Sequence, residues 1–272
     1  MKWISDLYHL INEKKYSTLS GSMAFFIIVN GSATLFIAFV IANSLEIDLN
    51  LLFIKGENLP EDVQNILTYI VSTSSSFSNG YSIIFLFTSL WGASNLFYQF
   101  LQTGELIFGK GLSGNGLFRR TLSLIILALF LVVLVICLLT LIVANYLVLF
   151  VNVKWLNVLW SYIAFLFVPF TLLTFINLYI PPVKIRIKGA LLGALFTSLF
   201  WYIASSLFSF YLKYFSNFKI IYGALTFILV FMIWIYLLTN GLVIGFIINF
   251  NYQKLTGDKK NIKDTITNGV ME

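Results

Sequence analysis

The chain has 272 residues, of which 59% are hydrophobic, 18% aromatic and 10% charged, and its mean hydropathy is +0.92. A water-soluble domain carries about 25% charged residues, so a soluble enzyme and a soluble nucleic-acid binder are both poor readings of this composition. The formal charge of +6 then matters by location, because basic residues at the ends of membrane spans orient them.

The apolar runs are longer than the roughly 10-residue alternating strands of a membrane barrel. The fold class is therefore all-α, a polytopic membrane protein. A helical crossing takes about 20 mostly apolar residues and satisfies its backbone internally. Charge-free stretches predict six spans, at approximately 22–42, 81–102, 121–150, 156–180, 189–212 and 221–250, together forming one transmembrane domain over 1–250. The first is read as uncleaved, since its apolar region begins too late and runs too long for a signal peptide. Before it, His9 reads as a surface residue of an amphipathic helix.

Between the first two spans lies the longest connection, 43–80, with Glu46, Asp48, Glu57, Glu61 and Asp62. Pro60 suits a first helical turn, and Val63, Ile66, Leu67, Ile70 and Val71 recur at helical spacing. One outer helix over 60–79 is expected, lying in the interface or acting as a lid. In the third span the lone cysteine, Cys137, reads as a small core residue. Pro169 should kink the fourth span, which stops at Pro181-Pro182. The polar tail, 251–272, carries Lys254, Lys259, Lys260 and Lys263 and is expected to be disordered or lipid-associated.

Thirteen basic residues fall on the side that holds the N-terminus, the 103–120 and 181–188 loops and the tail, whereas Lys55, Lys154, Lys213 and Lys219 fall on the other. The positive-inside rule places both termini in the cytoplasm. Arg119, Arg120, Lys184, Arg186 and Lys188 are read as lipid-facing basic anchors, with anionic lipid as their partner on that side.

Motifs for chemistry are weak. Gly104 to Lys110 matches a phosphate-binding loop through its lysine, but Gly111 stands where Ser or Thr should hold magnesium, and no strand precedes it. One histidine, one cysteine and scattered carboxylates offer no metal cluster, so neither catalysis, nor a cofactor, nor a nucleic-acid partner is expected. The spans contain no charged residue, which disfavours an acidic proton relay. They do contain amides. Asn95, Gln99 and Gln102 share a helical face that ends beside Glu105, and Asn177 and Asn240 stand singly. Such a stripe either bonds across helices or lines a cavity. Gly189-xxx-Gly193 and Gly241-xxx-Gly245 suit close helix packing, within the chain or between copies in a homo-oligomer.

Specific strings carry a resemblance. WGASNLFYQFLQTGELIFGK (91–110), the Arg119-Arg120 pair, LYIPP (178–182), KGALLGALFTSLFWYIAS (188–205) and YGALTFILVFMIWIYLLTNGLVIGFIIN (222–249) resemble the YihY/BrkB family of bacterial inner-membrane proteins. The resemblance spans nearly the whole chain and implies six helices with both termini inside. It associates the chain with virulence or serum-resistance factors, with transporters and with an old ribonuclease label that the residues do not support. The chain departs from the family at Asn30-Gly31-Ser32-Ala33, at Glu105-Leu106 and at Ile247. The expected function is transport or binding of a lipid-like envelope component, with a non-transporting scaffold as the alternative.

Overall fold

The computed structural model describes residues 10–11, 16–44, 81–111, 115–151, 154–214 and 219–268. The expected outer helix over 60–79, its acidic loop beyond residue 44, and His9 lie outside these residues. The described chain forms six long helices: α1 (Tyr16–Ser44), α2 (Tyr81–Phe108), α3 (Gly116–Val151), α4 (Lys154–Tyr179), α5 (Ile187–Tyr214) and α6 (Lys219–Asn268). Four are long and apolar enough to cross a membrane, over Tyr16–Ala38, Gly116–Leu141, Ile187–Tyr211 and Ile228–Thr256, and a shorter apolar stretch runs over Leu166–Tyr179.

Local chemistry sets the helix ends. Gly109 follows the last residue of α2 at φ 64°, a left-handed conformation that costs a residue with a Cβ about 1–2 kcal/mol and glycine little. The Asn115 carbonyl accepts from the Arg119 amide at 3.3 Å and so opens α3. Pro181 and Pro182 cannot extend the hydrogen-bond ladder of α4, and the Arg186 carbonyl starts the next helix by accepting from Gly189 and Ala190 at 2.9 and 3.2 Å. Pro169 lies inside α4.

The polar segment after residue 250 is helical to Asn268, where a disordered or lipid-associated tail was expected. Its first turn is fastened to the rest of the molecule. Gln253 Nε2 donates to the Lys184 carbonyl at 2.7 Å, and its Oε1 accepts from the Arg186 amide at 3.3 Å. Asn251 beside it is buried. A helix already nucleated over thirty residues extends at little further entropic cost.

Each helix packs on its neighbours in the chain, and α6 returns to α1, so the six close a ring in sequence order. The most extensive contact is between α5 and α6, and α6 also touches α2 and α4. Met23, Phe97, Leu173, Leu242 and Phe246 are fully buried among the helices. Leu, Ile, Val and Phe also cover the outer faces, as at Val132 and Ile136 on α3 and Leu199, Ile203 and Leu207 on α5. Water would penalise that surface, whereas a bilayer accepts it.

Glycine sets the α5–α6 contact. A Cβ added at Gly193 would lie 2.6 Å from the Gly245 carbonyl oxygen, and one at Gly245 would collide with Thr197 Oγ1. At Gly241 an added Cβ would meet the Phe200 ring. Gly193→Ala should therefore lower unfolding stability by about 1–3 kcal/mol, the usual cost of overpacking a tight contact. Gly21→Ala in α1, where nothing lies within 4 Å, should leave stability unchanged or raise it by up to about 1 kcal/mol. Thermal unfolding of the two variants in detergent checks the contrast.

Candidate functional site

Many polar side chains of the spans fall into two groups, which the hydrogen bond from Thr239 of α6 to the Ser20 carbonyl of α1 links. The first belongs to α1, α2 and α3, and its members bond across helices. Gln99 Nε2 of α2 donates to Ser22 Oγ of α1 at 2.9 Å. Ser94 of α2 and Ser123 of α3 share a hydrogen bond at 3.0 Å, and Ser123 also donates to the Arg120 carbonyl at 2.7 Å. Asn95 Oδ1 accepts from Arg120 Nη1, while Arg120 Nη2 donates to the Trp91 carbonyl at 3.2 Å. One turn below Gln99, Gln102 is half-buried and Thr103 donates to the Gln99 carbonyl at 3.0 Å.

At the C-terminal end of the same face, Glu105 pairs with Arg119 at 3.4 Å. The adjacent arginines of α3 thus both turn onto α2. The sequence suggested lipid-facing anchors, and the geometry adds protein partners for each. Lys184, Arg186 and Lys188 are exposed around the start of α5.

The second group lies where α4, α5 and α6 meet. Asn249 Nδ2 of α6 donates to the Asn177 carbonyl of α4 at 2.9 Å, and Asn177 Nδ2 donates to the Leu173 carbonyl at 2.9 Å. Their amide oxygens face glycines of α5: a Cβ at Gly193 would sit 2.8 Å from Asn177 Oδ1, and one at Gly189 would sit 2.8 Å from Asn249 Oδ1. Thr197 Oγ1 reaches the Gly193 and Gly241 carbonyls at 2.9 and 3.2 Å. Asn240 Nδ2 donates to the Tyr236 carbonyl at 2.9 Å.

Four amide atoms of these helices are buried without a conventional hydrogen-bond partner: Asn177 Oδ1, Asn240 Oδ1, Asn249 Oδ1 and Asn251 Nδ2. Leaving such a group unsatisfied costs about 1–3 kcal/mol.

Several of these partners carry a signal in the sequence. Thr197 continues the Gly189, Gly193 stripe by one more step of four, and Gln253 stands one step of four beyond Asn249. Ser22, Ser20 and Thr239 carried none. A small hydroxyl in an apolar run gives no indication of which distant helix it meets, as when Thr239 donates to the Ser20 carbonyl at 3.0 Å.

Among the described residues, no three His, Cys, Asp or Glu side chains converge on a point that would suit a metal ion. The amides and hydroxyls present accept and donate hydrogen bonds, and Glu105 and Arg119 form an ion pair. A double-mutant cycle on Ser22→Ala and Gln99→Leu should give a coupling of about 0.6–1.7 kcal/mol, the range for hydrogen bonds between membrane helices. Urea or SDS unfolding in mixed micelles measures it, and a coupling near zero would mean that the pair does not join α1 to α2.

Residues 7–265 match the family described as Virulence factor BrkB. A 76-residue stretch is 32% identical to a UPF0761 membrane protein of Coxiella burnetii (strain RSA 493 / Nine Mile phase I), covering 28% of this chain and 27% of that one. A stretch of 80 residues is 39% identical to the ribonuclease-like protein YfkH of Bacillus subtilis (strain 168), covering 29% of each. Another, of 84 residues, is 33% identical to a UPF0761 membrane protein of Kangiella koreensis and covers 30% of this chain and 21% of the relative. Each alignment thus spans less than a third of the relative's length. No solved structure matches. With a family match from end to end of its apolar helices, the chain belongs to the virulence factor BrkB family and is a membrane protein.

Proposed function

We propose that this chain crosses the bacterial cytoplasmic membrane six times, with both termini inside, and that it binds and carries a lipid-like envelope component. Support for the crossings comes from six helices laid over the six apolar stretches and from the 13 to 4 distribution of basic residues. Its partners on this reading are membrane lipids, anionic ones lying against Lys184, Arg186 and Lys188, and a second copy of the chain. It works without a catalytic centre, a cofactor or nucleic acid.

One observation carries the binding role. Asn177, Asn240 and Asn249 each hold a buried amide oxygen with no N–H or O–H donor directed at it. Buried polar groups in proteins are nearly always paired, and exceptions call for a reason. A ligand whose headgroup donates hydrogen bonds, through hydroxyls or amides, supplies the missing donors when the contact between α5 and α6 loosens. The neutral lining suits an amphipathic molecule, because no buried charge must be compensated as it passes.

The scaffold reading also has an observation in its favour: Asn95, Gln99 and Asn249 each bond to another helix. Reconstitution separates the two. Vesicles containing the protein should transfer a fluorescent lipid with a hydroxyl-bearing headgroup between leaflets faster than a choline lipid. Asn177→Leu and Asn249→Leu should each slow that transfer about tenfold, the equivalent of one lost buried hydrogen bond, while the protein stays folded. Absence of transfer by the wild type, with both variants unaltered in cells, would favour the scaffold.

A further inference from the structure

The exposed face shared by α2 and α3 holds a charged group that no carboxylate among the described residues neutralises. Arg119 and Arg120 are consecutive, yet they diverge along α2: Arg119 pairs with Glu105, whereas Arg120 reaches Asn95, ten residues away and so about 15 Å along the helix. Glu105 balances the charge of Arg119. The Arg120 guanidinium has only neutral partners, the Asn95 amide oxygen, the Trp91 carbonyl and the Trp91 ring, whose centroid lies 3.9 Å from Cζ. Among the described residues no carboxylate pairs with it. These contacts use two of its five N–H donors, and its Nε is buried without a partner.

The surroundings are apolar and open. Trp91 is 62% exposed although the guanidinium covers one face, and Phe87, one turn away on α2, is 70% exposed. On α3, Leu117 and Leu124 stand one turn to either side of Arg120 and are also exposed. Helix geometry sets each of these side chains beside the arginine or the tryptophan. A half-exposed cation with unused donors, flanked by exposed apolar surface in a membrane helix, is complementary to one molecule class in its surroundings. That class has an anionic phosphate joined to acyl chains.

We propose that the surface formed by Phe87, Trp91, Asn95, Leu117, Arg120 and Leu124 is a binding site for one anionic phospholipid. The phosphate accepts from the free Nη protons of Arg120, and an acyl chain lies along Trp91 and Phe87. Trp91 and Asn95 hold the planar guanidinium in place beforehand, so the ion pair forms without first ordering a long side chain. The site requires that α2 and α3 be embedded in a bilayer. It does not require that the protein move any lipid, and it is separate from the amides of α4 and α6.

Fluorescence quenching by brominated lipids tests this on the intact protein in nanodiscs. The Trp91 signal is the difference between the wild type and Trp91→Phe. Brominated phosphatidylglycerol should occupy the site about fivefold more readily than brominated phosphatidylcholine, as expected for one arginine near an anionic lipid. Arg120→Gln should bring that ratio to about one, and Arg120→Lys should keep a preference by retaining the charge. Inorganic phosphate added to the buffer should not displace the lipid. Equal quenching of the wild type by the two lipids would overturn the proposal, and that arm needs no variant to fold. Displacement by inorganic phosphate, or an undiminished ratio in a folded Arg120→Gln protein, would overturn it as well.

Discussion

The close approach of α5 and α6 is the contact on which the remaining helices depend. Gly193 and Gly245 bring two backbones together where an added methyl group would strike a carbonyl or a hydroxyl. In a bilayer the hydrophobic effect gives helices no reason to associate, since lipid chains are as apolar as leucine, and close backbone packing has to supply the attraction. From that contact α4 is reached through Asn249 and Asn177, and α1 through Thr239 and Ser20. The contact of α6 with α1 then closes the ring.

The distribution of polarity follows. Apolar side chains fill both the interior and the outer faces, so hydrophobicity alone does not distinguish inside from outside, and the amides, hydroxyls and glycines mark which faces meet. Gln253 has both its amide oxygen and its amide nitrogen bonded to backbone groups of the 184–186 segment. The amide oxygens of Asn177 and Asn249 lie close to glycines of α5 and have no hydrogen-bond partner, so the contact there is tight but incompletely bonded. A ligand that offers donors competes well at such places.

Much of the helical layout was legible in the sequence because charge-free length is a one-dimensional property. The stretch 189–212 falls within α5, and 121–150 falls within α3. Length did not reveal the continuation of α6 to Asn268, since polar residues after Phe250 match a tail as well as they match a helix fastened by Gln253. The site was legible only in part. The spacing of Gly189, Gly193, Gly241 and Gly245 indicated close packing without naming the partner of each helix. The pairing of Asn95 with Arg120, and the opposite direction taken by Arg119, depend on which faces α2 and α3 turn to one another, and helical periodicity in one chain does not contain that. Ser17 and Tyr236, joined at 2.8 Å across 219 positions, show how little local pattern constrains such contacts.

The central claim is that a lipid-facing surface surrounds an inward seam of small and polar residues. Spin labels placed one at a time along α5 from residue 194 to 204, in protein reconstituted in a bilayer, test it most directly. Collision with oxygen should peak at Leu195, Leu199 and Ile203, which are exposed, and fall at Ala194, Thr197 and Ala204, which are buried. The water-soluble relaxant nickel-EDDA should collide weakly at all of them. Strong nickel-EDDA collisions at Leu195, Leu199 and Ile203, or oxygen accessibility without helical periodicity, would contradict it.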